Sequence, residues 1–258
     1  KFDMKIVISP AKSLNFERCT IFKDSSKCIF LSDSELLTRK LKKLSPEKIG
    51  ALMSISPALS QLNFDRYQSW VLPFTLDNSK HALAVFTGEV YRGINALDFS
   101  EKDLNVAQDK LRIISGLYGI LKPKDLIQPY RLEMGTRFAV TPKTKNLYQF
   151  WGAKITDALN ADLSQDDGVL INLASNEYFK AVNQKNIKGK VVTCHFRDFK
   201  NGEYKMIMTF AKQARGYMAR FIIKNDLKQV EDLKAFETEG YVFNPKMSSR
   251  EELTFTRG

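Results

Sequence analysis

The chain reads as a mixed α/β (α+β) protein, a mixed sheet flanked by helices, on three observations. Short apolar runs alternate with amphipathic stretches of helical spacing. Asn201-Gly202 lies between two strand-like runs and is the strongest hairpin signal present, because Asn-Gly tolerates positive φ at both turn positions. The 258 residues, 43% of them apolar, suffice for one core, and no Gly/Ser/Pro-rich linker or low-complexity stretch divides them. A single domain over 1–258 is expected, with Lys1, Phe2 and Asp3, which precede the first methionine, set aside as foreign to it.

Taken in order, Lys5 to Ser9 is a buried strand ended by the turn chemistry of Ser9-Pro10-Ala11-Lys12. Glu35 to Leu44 is helical by composition. Ser45-Pro46-Glu47 starts another helix, the hydroxyl capping it and proline occupying the first turn, and Pro57 starts a third. Ala82 to Phe86 reads as a strand, and Ser100 to Asp103 as a capping box before a helix through Leu111. Leu147 to Leu159 has helical spacing, and Val169-Leu170-Ile171 is a buried strand. Lys190 to Phe196 and Tyr204 to Phe210 flank the Asn-Gly turn, and Ala211 to Asn225 closes the pattern as a helix. With an antiparallel hairpin present, a pure βαβ repeat is not expected.

Composition narrows the function. Eighteen Phe and nine Tyr exclude a disordered basic tail. No apolar stretch approaches the roughly 20 residues a membrane span needs. Cys19, Cys28 and Cys194 contain no CxxC pair, which fits a reducing, cytoplasmic setting. With His81 and His195 as the only histidines, no metal and no cofactor is expected, and Cys194-His195 reads as alternation along a strand.

The net charge of +11 is unevenly spread. Residues 111–150 carry +5, and 180–224 hold eleven basic residues against Asp198 and Glu203, a local +9. Lys212, Arg215 and Arg220 fall on one helix as a broad basic face, with Phe210, Ala214, Met218, Phe221 and Ile222 on its buried side. Clustered cations suit a polyanion. Charge alone leaves nucleic acid, an acidic protein and a merely solvated surface open.

Two hairpin candidates accompany the charge. Gly116 and Gly119, beside Arg112, Lys122 and Lys124, have a spacing unlike the usual helix-hairpin-helix loop and read first as a tight turn. Leu52 to Leu62 reads as two packed helices without glycine. No GxSxG, HExxH, GxxxxGK[ST] or post-strand GxGxxG occurs. Two dense polar sets remain, Gln128 to Glu133 and Asn172 to Tyr178, the second at a strand end where sites tend to form. They offer Tyr130, Glu133, Asn172, Ser175 and Glu177 as a polar site, with both glutamates as acid/base candidates and Lys12 and Arg131 to stabilise an anion. Ion pairs and caps that merely organise loops are the competing reading.

Together, Ile8-Ser9-Pro10-Ala11-Lys12, Phe86 to Tyr91, Ser115 to Gly119, Gln128 to Gly135, Tyr148 to Gly152, Asn172 to Phe179 and Ala211 to Gly216 resemble the YaaA peroxide-stress protein family, in that family's order and across nearly the whole chain. The resemblance implies a cytoplasmic protein that limits Fenton damage to DNA by keeping free iron low. It also implies DNA binding through a basic cleft and a helix-hairpin-helix-like element, in one domain of unusual topology. Lys12, Arg131, Lys212 and Arg215 are the matched positions for that cleft. A non-enzymatic, structure-selective DNA binder, monomeric and away from membranes, is the leading expectation. An enzyme acting on nucleic acid or nucleotide is the alternative.

Overall fold

A computed structural model describes residues 4–17, 20–163 and 168–258; Lys1, Phe2, Asp3 and Cys19 lie outside them. Strand β1 (Met4–Ile8) is buried at all five positions, and its Lys5 reaches Asp109 at 3.0 Å. Helix α1 (Leu31–Leu41) starts ahead of the expected Glu35. Helices α2 (Pro46–Met53) and α3 (Pro57–Ser69) begin where serine and proline signal it: Ser45 and Ser56 accept the amides of Lys48 and Leu59. After β2 (Lys80–His81), the expected strand at Ala82 to Phe86 is instead a one-turn helix, α4 (Ala82–Val85). Five apolar residues buried on every side carry no period, so the run cannot separate the two states.

Helix α5 (Glu89–Ile94) is followed by α6 (Glu101–Lys110), where Ser100 and Asp103 exchange both bonds of a capping box. Strands β3 (Leu111–Ser115), β4 (Gly119–Leu121) and β5 (Leu126–Ile127) come next. The helix expected over Leu147 to Leu159 is two, α7 (Leu147–Trp151) and α8 (Lys154–Leu163), parted at Gly152 with φ 50°. Then come β6 (Val169–Leu173), α9 (Asn176–Phe179), β7 (Lys190–Lys200) and β8 (Glu203–Lys205). Asn201 at φ 54° and Gly202 at φ 85° supply the two positive angles of the anticipated hairpin turn. Helix α10 (Met208–Lys224) starts three residues earlier than expected and shortens the second strand of the hairpin; β9 (Val242–Phe243) and β10 (Glu252–Arg257) complete the order.

The main sheet runs β4-β3-β1-β6-β7-β10-β9, with β8 added on β7 and β2-β5 as a separate pair. Its five inner strands, β3, β1, β6, β7 and β10, are parallel, while β4, β8 and β9 are antiparallel additions. The architecture is therefore mixed α/β, as expected, with a larger parallel share than the hairpin suggested. β1 sits between β3 and β6, so the chain leaves it to one side and later crosses to the other. In parallel sheets such a reversal opens a crevice at the carboxyl ends of the strands.

Helix α10 crosses α5 at a glycine pair. A Cβ at Gly216 would overlap the Val90 carbonyl, and one at Gly93 the Gln213 carbonyl, so only glycine lets the backbones meet. One turn past the crossing, Arg220 donates to the carbonyls of Ile94 and Asn95 at 3.0 and 3.1 Å. The helices thus run in the same sense, which leaves Lys212 on the side from which α5 begins. Among the described residues no helix is long and apolar enough to cross a membrane.

Candidate nucleic-acid interface

The crevice at the end of β1 is closed by side chains from four segments. Ser175, after β6, donates its amide to the Ser9 hydroxyl at 2.8 Å, and that hydroxyl meets the Ser175 hydroxyl at 3.2 Å. Tyr91 of α5 donates to the Ser9 carbonyl at 2.9 Å. At the end of β3, Ser115 and Tyr130 share a 2.8 Å hydrogen bond. Asn172 ties off β6 by accepting the Ala174 amide at 3.0 Å and donating to Thr193 at 3.3 Å.

Glu133 lies in this frame with two cations on it. Lys12 Nζ is 2.6 Å from Oε1, while Arg131 donates to Oε2 from Nη2 at 3.2 Å and Nε at 3.3 Å. Lys12 remains 63% exposed, whereas Arg131 is mostly covered, its carbonyl accepting the Tyr67 hydroxyl. Arg66 stands near Arg131, and burial, with that like charge adding to it, holds its guanidinium pKa down. Glu177 accepts the Gly135 amide at 3.0 Å. Tyr178 has its hydroxyl pKa pushed up chiefly by burial, with Glu133 and Glu177 both adding to the shift. Two cations and one carboxylate on a strand-end shelf can bind an anion.

On α10, Lys212 is exposed and Arg215 half-buried. Burial lowers the Arg215 pKa, and among the polar groups of the described residues its guanidinium meets the Met206 sulfur alone, at 4.0 Å. The other anticipated cations have different roles. Arg112 is buried, bound to Asp162 at 2.6 Å and to the carbonyls of Gln108 and Leu111, so no guanidinium face remains for a phosphate. Arg220 forms a bidentate pair with Asp98 at 2.7 and 2.8 Å and fastens α10 to the end of α5. Lys124 pairs with Asp24 at 2.8 Å. Lys122 and Lys124 also follow β4, the edge strand that lies beyond β3 from β1 and ends with Leu121 opposite Ile113. Arg112, Arg220 and Lys124 are thus engaged in ion pairs that the sequence reading did not anticipate.

Ser115 to Gly119 is the turn of the β3–β4 hairpin, flanked by strands and buried. Trp151 donates to the Gly116 carbonyl at 3.0 Å, and Trp151 and Phe30 cover Gly119, so this loop does not open its amides to a phosphate. Helices α2 and α3 form the helix pair read in Leu52 to Leu62, turning through Ser54 at φ 54°. Cys194 is buried on β7, and the neighbouring His195 pairs instead with Glu252 of β10, which is the alternation expected of a strand.

A model of the peroxide stress protein YaaA family matches residues 4–247, a span holding every residue of the crevice. The chain belongs to this family. It is 51% identical over 255 residues to a UPF0246 protein of Saccharophagus degradans, covering 98% of this chain and 99% of the relative. A UPF0246 protein of Cellvibrio japonicus is 50% identical over 252 residues, covering 97% of each. One of Flavobacterium johnsoniae is 48% identical over 254 residues, covering 98% and 100%.

Within this YaaA-family chain, sequence reasoning missed Ser9, Tyr91, Ser115, Arg66 and Tyr178 as parts of the crevice. Ser9 and Ser115 carried a signal, since each ends an apolar strand. Tyr91 and Tyr178 lay within the family motifs, and Arg66, inside a helix, carried no signal. Glu89, at the start of α5, pairs with Arg92 at 2.7 Å through Oε1, and its buried Oε2 lacks a partner among the described residues.

Proposed function

We propose that this YaaA-family protein serves the peroxide-stress response by binding DNA phosphates at the carboxyl end of its sheet, reading shape rather than base sequence. The observation that carries the reading is Arg215. Burial disfavours its charge, and among the described residues no carboxylate compensates. A phosphate would supply that counter-charge. Lys212, three residues earlier and also without an ion pair among the described residues, adds a second cation, and Lys12 with Arg131 exceeds Glu133 by one charge. Such contacts release counterions and carry no base readout, which favours DNA structure over sequence. Fluorescence anisotropy with a labelled duplex tests it: affinity is expected to fall more than tenfold between about 50 and 200 mM salt. An affinity indifferent to salt would sink the proposal. The lowering of free iron that the family resemblance implies is read as indirect, and stoichiometric iron in purified protein would overturn that part.

A second reading, chemistry on a nucleotide, is favoured by Glu177, whose carboxylate accepts the Gly135 amide two residues past Glu133 at 3.0 Å. Incubating structured DNA with wild type and Glu177→Gln decides it. Conversion by wild type alone supports catalysis, and unchanged substrate in both removes it.

A further inference from the structure

The β7–β8 hairpin and the start of α10 carry a surface that phosphate binding does not explain. β7 pairs with β6 only from Lys190 to Thr193, then runs on for seven residues, Cys194 to Lys200. At about 3.3 Å per residue it overhangs the end of β6 by roughly 20 Å, at the same end of the sheet as the crevice. Pairing with β10 stops at Asp198, so the tip stands beyond the main sheet. Here Phe199 is 52% exposed, Met206 59%, Met208 65% and Phe210 42%. The Phe199 and Tyr204 rings meet edge to face with centroids 5.3 Å apart, and the Arg257 guanidinium lies 4.9 Å from the Phe210 centroid. Among the described residues, four of the twelve large exposed apolar side chains fall within residues 199–210, and this concentration marks an interaction surface.

Its charge selects the partner. Lys200 and Lys212 are exposed and make no ion pair among the described residues, and Arg215 reaches Met206 at the base of the patch. The nearby acids are already occupied: Asp198 by Arg257 at 2.6 Å and by the Tyr241 hydroxyl at 2.8 Å, Glu203 by Lys205 at 2.8 Å. Aromatic rings interleaved with unpaired cations fit a strand whose phosphates meet Lys and Arg while its bases stack on the rings. Bases within a duplex are already stacked on one another and offer no free face.

We propose that this overhanging hairpin and the first turn of α10 are a stacking platform for unpaired bases of DNA. The proposal rests on the DNA-binding reading above and adds that single-stranded segments are held at a place of their own. Anisotropy with labelled oligo(dT) and with a duplex of equal length, on wild type and on Phe199→Ala/Met208→Ala, tests it. The variant is expected to bind oligo(dT) at least tenfold more weakly while its duplex affinity stays within about twofold, stacking being worth about 1–3 kcal/mol per base. Phe199→Tyr, which keeps a ring, is expected to bind as wild type. Photo-crosslinking of a 5-iodouracil oligonucleotide is expected to label Phe199, Tyr204 or Phe210. Equal losses on both DNAs, or an unchanged oligo(dT) affinity, would overturn the platform and assign the patch to a protein partner. Wild type binding neither DNA would overturn the DNA reading itself. Salt-dependent duplex binding with oligo(dT) affinity unaffected by the variant would overturn the platform alone.

Discussion

Replacing Lys212 and Arg215 together by glutamine perturbs the two cations that the fold leaves without an acidic partner among its described residues. Each phosphate a protein neutralises on B-DNA contributes about −0.9 to the slope of log affinity against log salt. Losing two contacts flattens the slope by about 1.8, whatever other cations contribute. Over a fourfold rise in salt, wild type should therefore lose about twelvefold more affinity than the variant. The substitutions leave the core intact, because Lys212 is exposed and Arg215 touches only the Met206 sulfur among the polar groups of the described residues, so the Tm should scarcely move. Anisotropy titrations at four or five salt concentrations give both slopes. Lys122→Gln/Lys124→Gln, which follow the edge strand β4 and lie outside the proposed contacts, serves as control and should keep the wild-type slope. Parallel lines for wild type and the Lys212/Arg215 variant would refute the assignment.

Asp125 gives a pH test, since burial pushes its carboxyl up to about 6 from an ordinary 3.8, against hydrogen bonds from Ser26 and Lys122. The folded state then holds the proton more tightly than the unfolded chain, so Asp125 contributes full stability below about pH 4 and loses it as pH rises through 6. The loss amounts to about 3 kcal/mol at most. Urea unfolding of wild type and Asp125→Asn at pH 4.5 and 7.5 should show the variant gaining on wild type at the higher pH; a constant difference would refute it. Burial pushes the Cys194 thiol up to about 12 and raises Cys28 well above its ordinary value, so peroxide should leave both reduced in the folded protein; a sulfenic acid on either, seen by mass spectrometry, would contradict this. Gly216→Ala must drive α10 away from the Val90 carbonyl and should cost about 1–3 kcal/mol in denaturant unfolding, whereas Gly202→Ala, which meets no neighbour, should lose only what its φ of 85° imposes.

The parts of this fold legible in the sequence are those whose causes are local. The serine-proline starts of α2 and α3, the capping box of α6 and the Asn-Gly hairpin each depend on a few consecutive residues, and each formed where its chemistry indicated. The YaaA-family motifs marked strand ends, and the sheet order then brought the ends of β1, β3 and β6 together. That meeting is nonlocal: Ser9 and Ser175 bond across 166 positions.

Charge was the least legible quantity, for the same reason. A run of basic residues counts equally whether its members are free or paired. Arg112 finds Asp162 50 residues away, and Arg220 finds Asp98 122 residues back. Both pairs are invisible to any local window, and each converts a supposed phosphate ligand into a fastening between elements. Lys122 differs in place rather than pairing: it follows β4, an edge strand separated from β1 by β3. A summed charge therefore bounds how many phosphates a protein could hold. Which cations hold them depends on strand order and on acids contributed from elsewhere in the chain, and by that criterion Lys212 and Arg215 are the two to which the measured salt slope should answer.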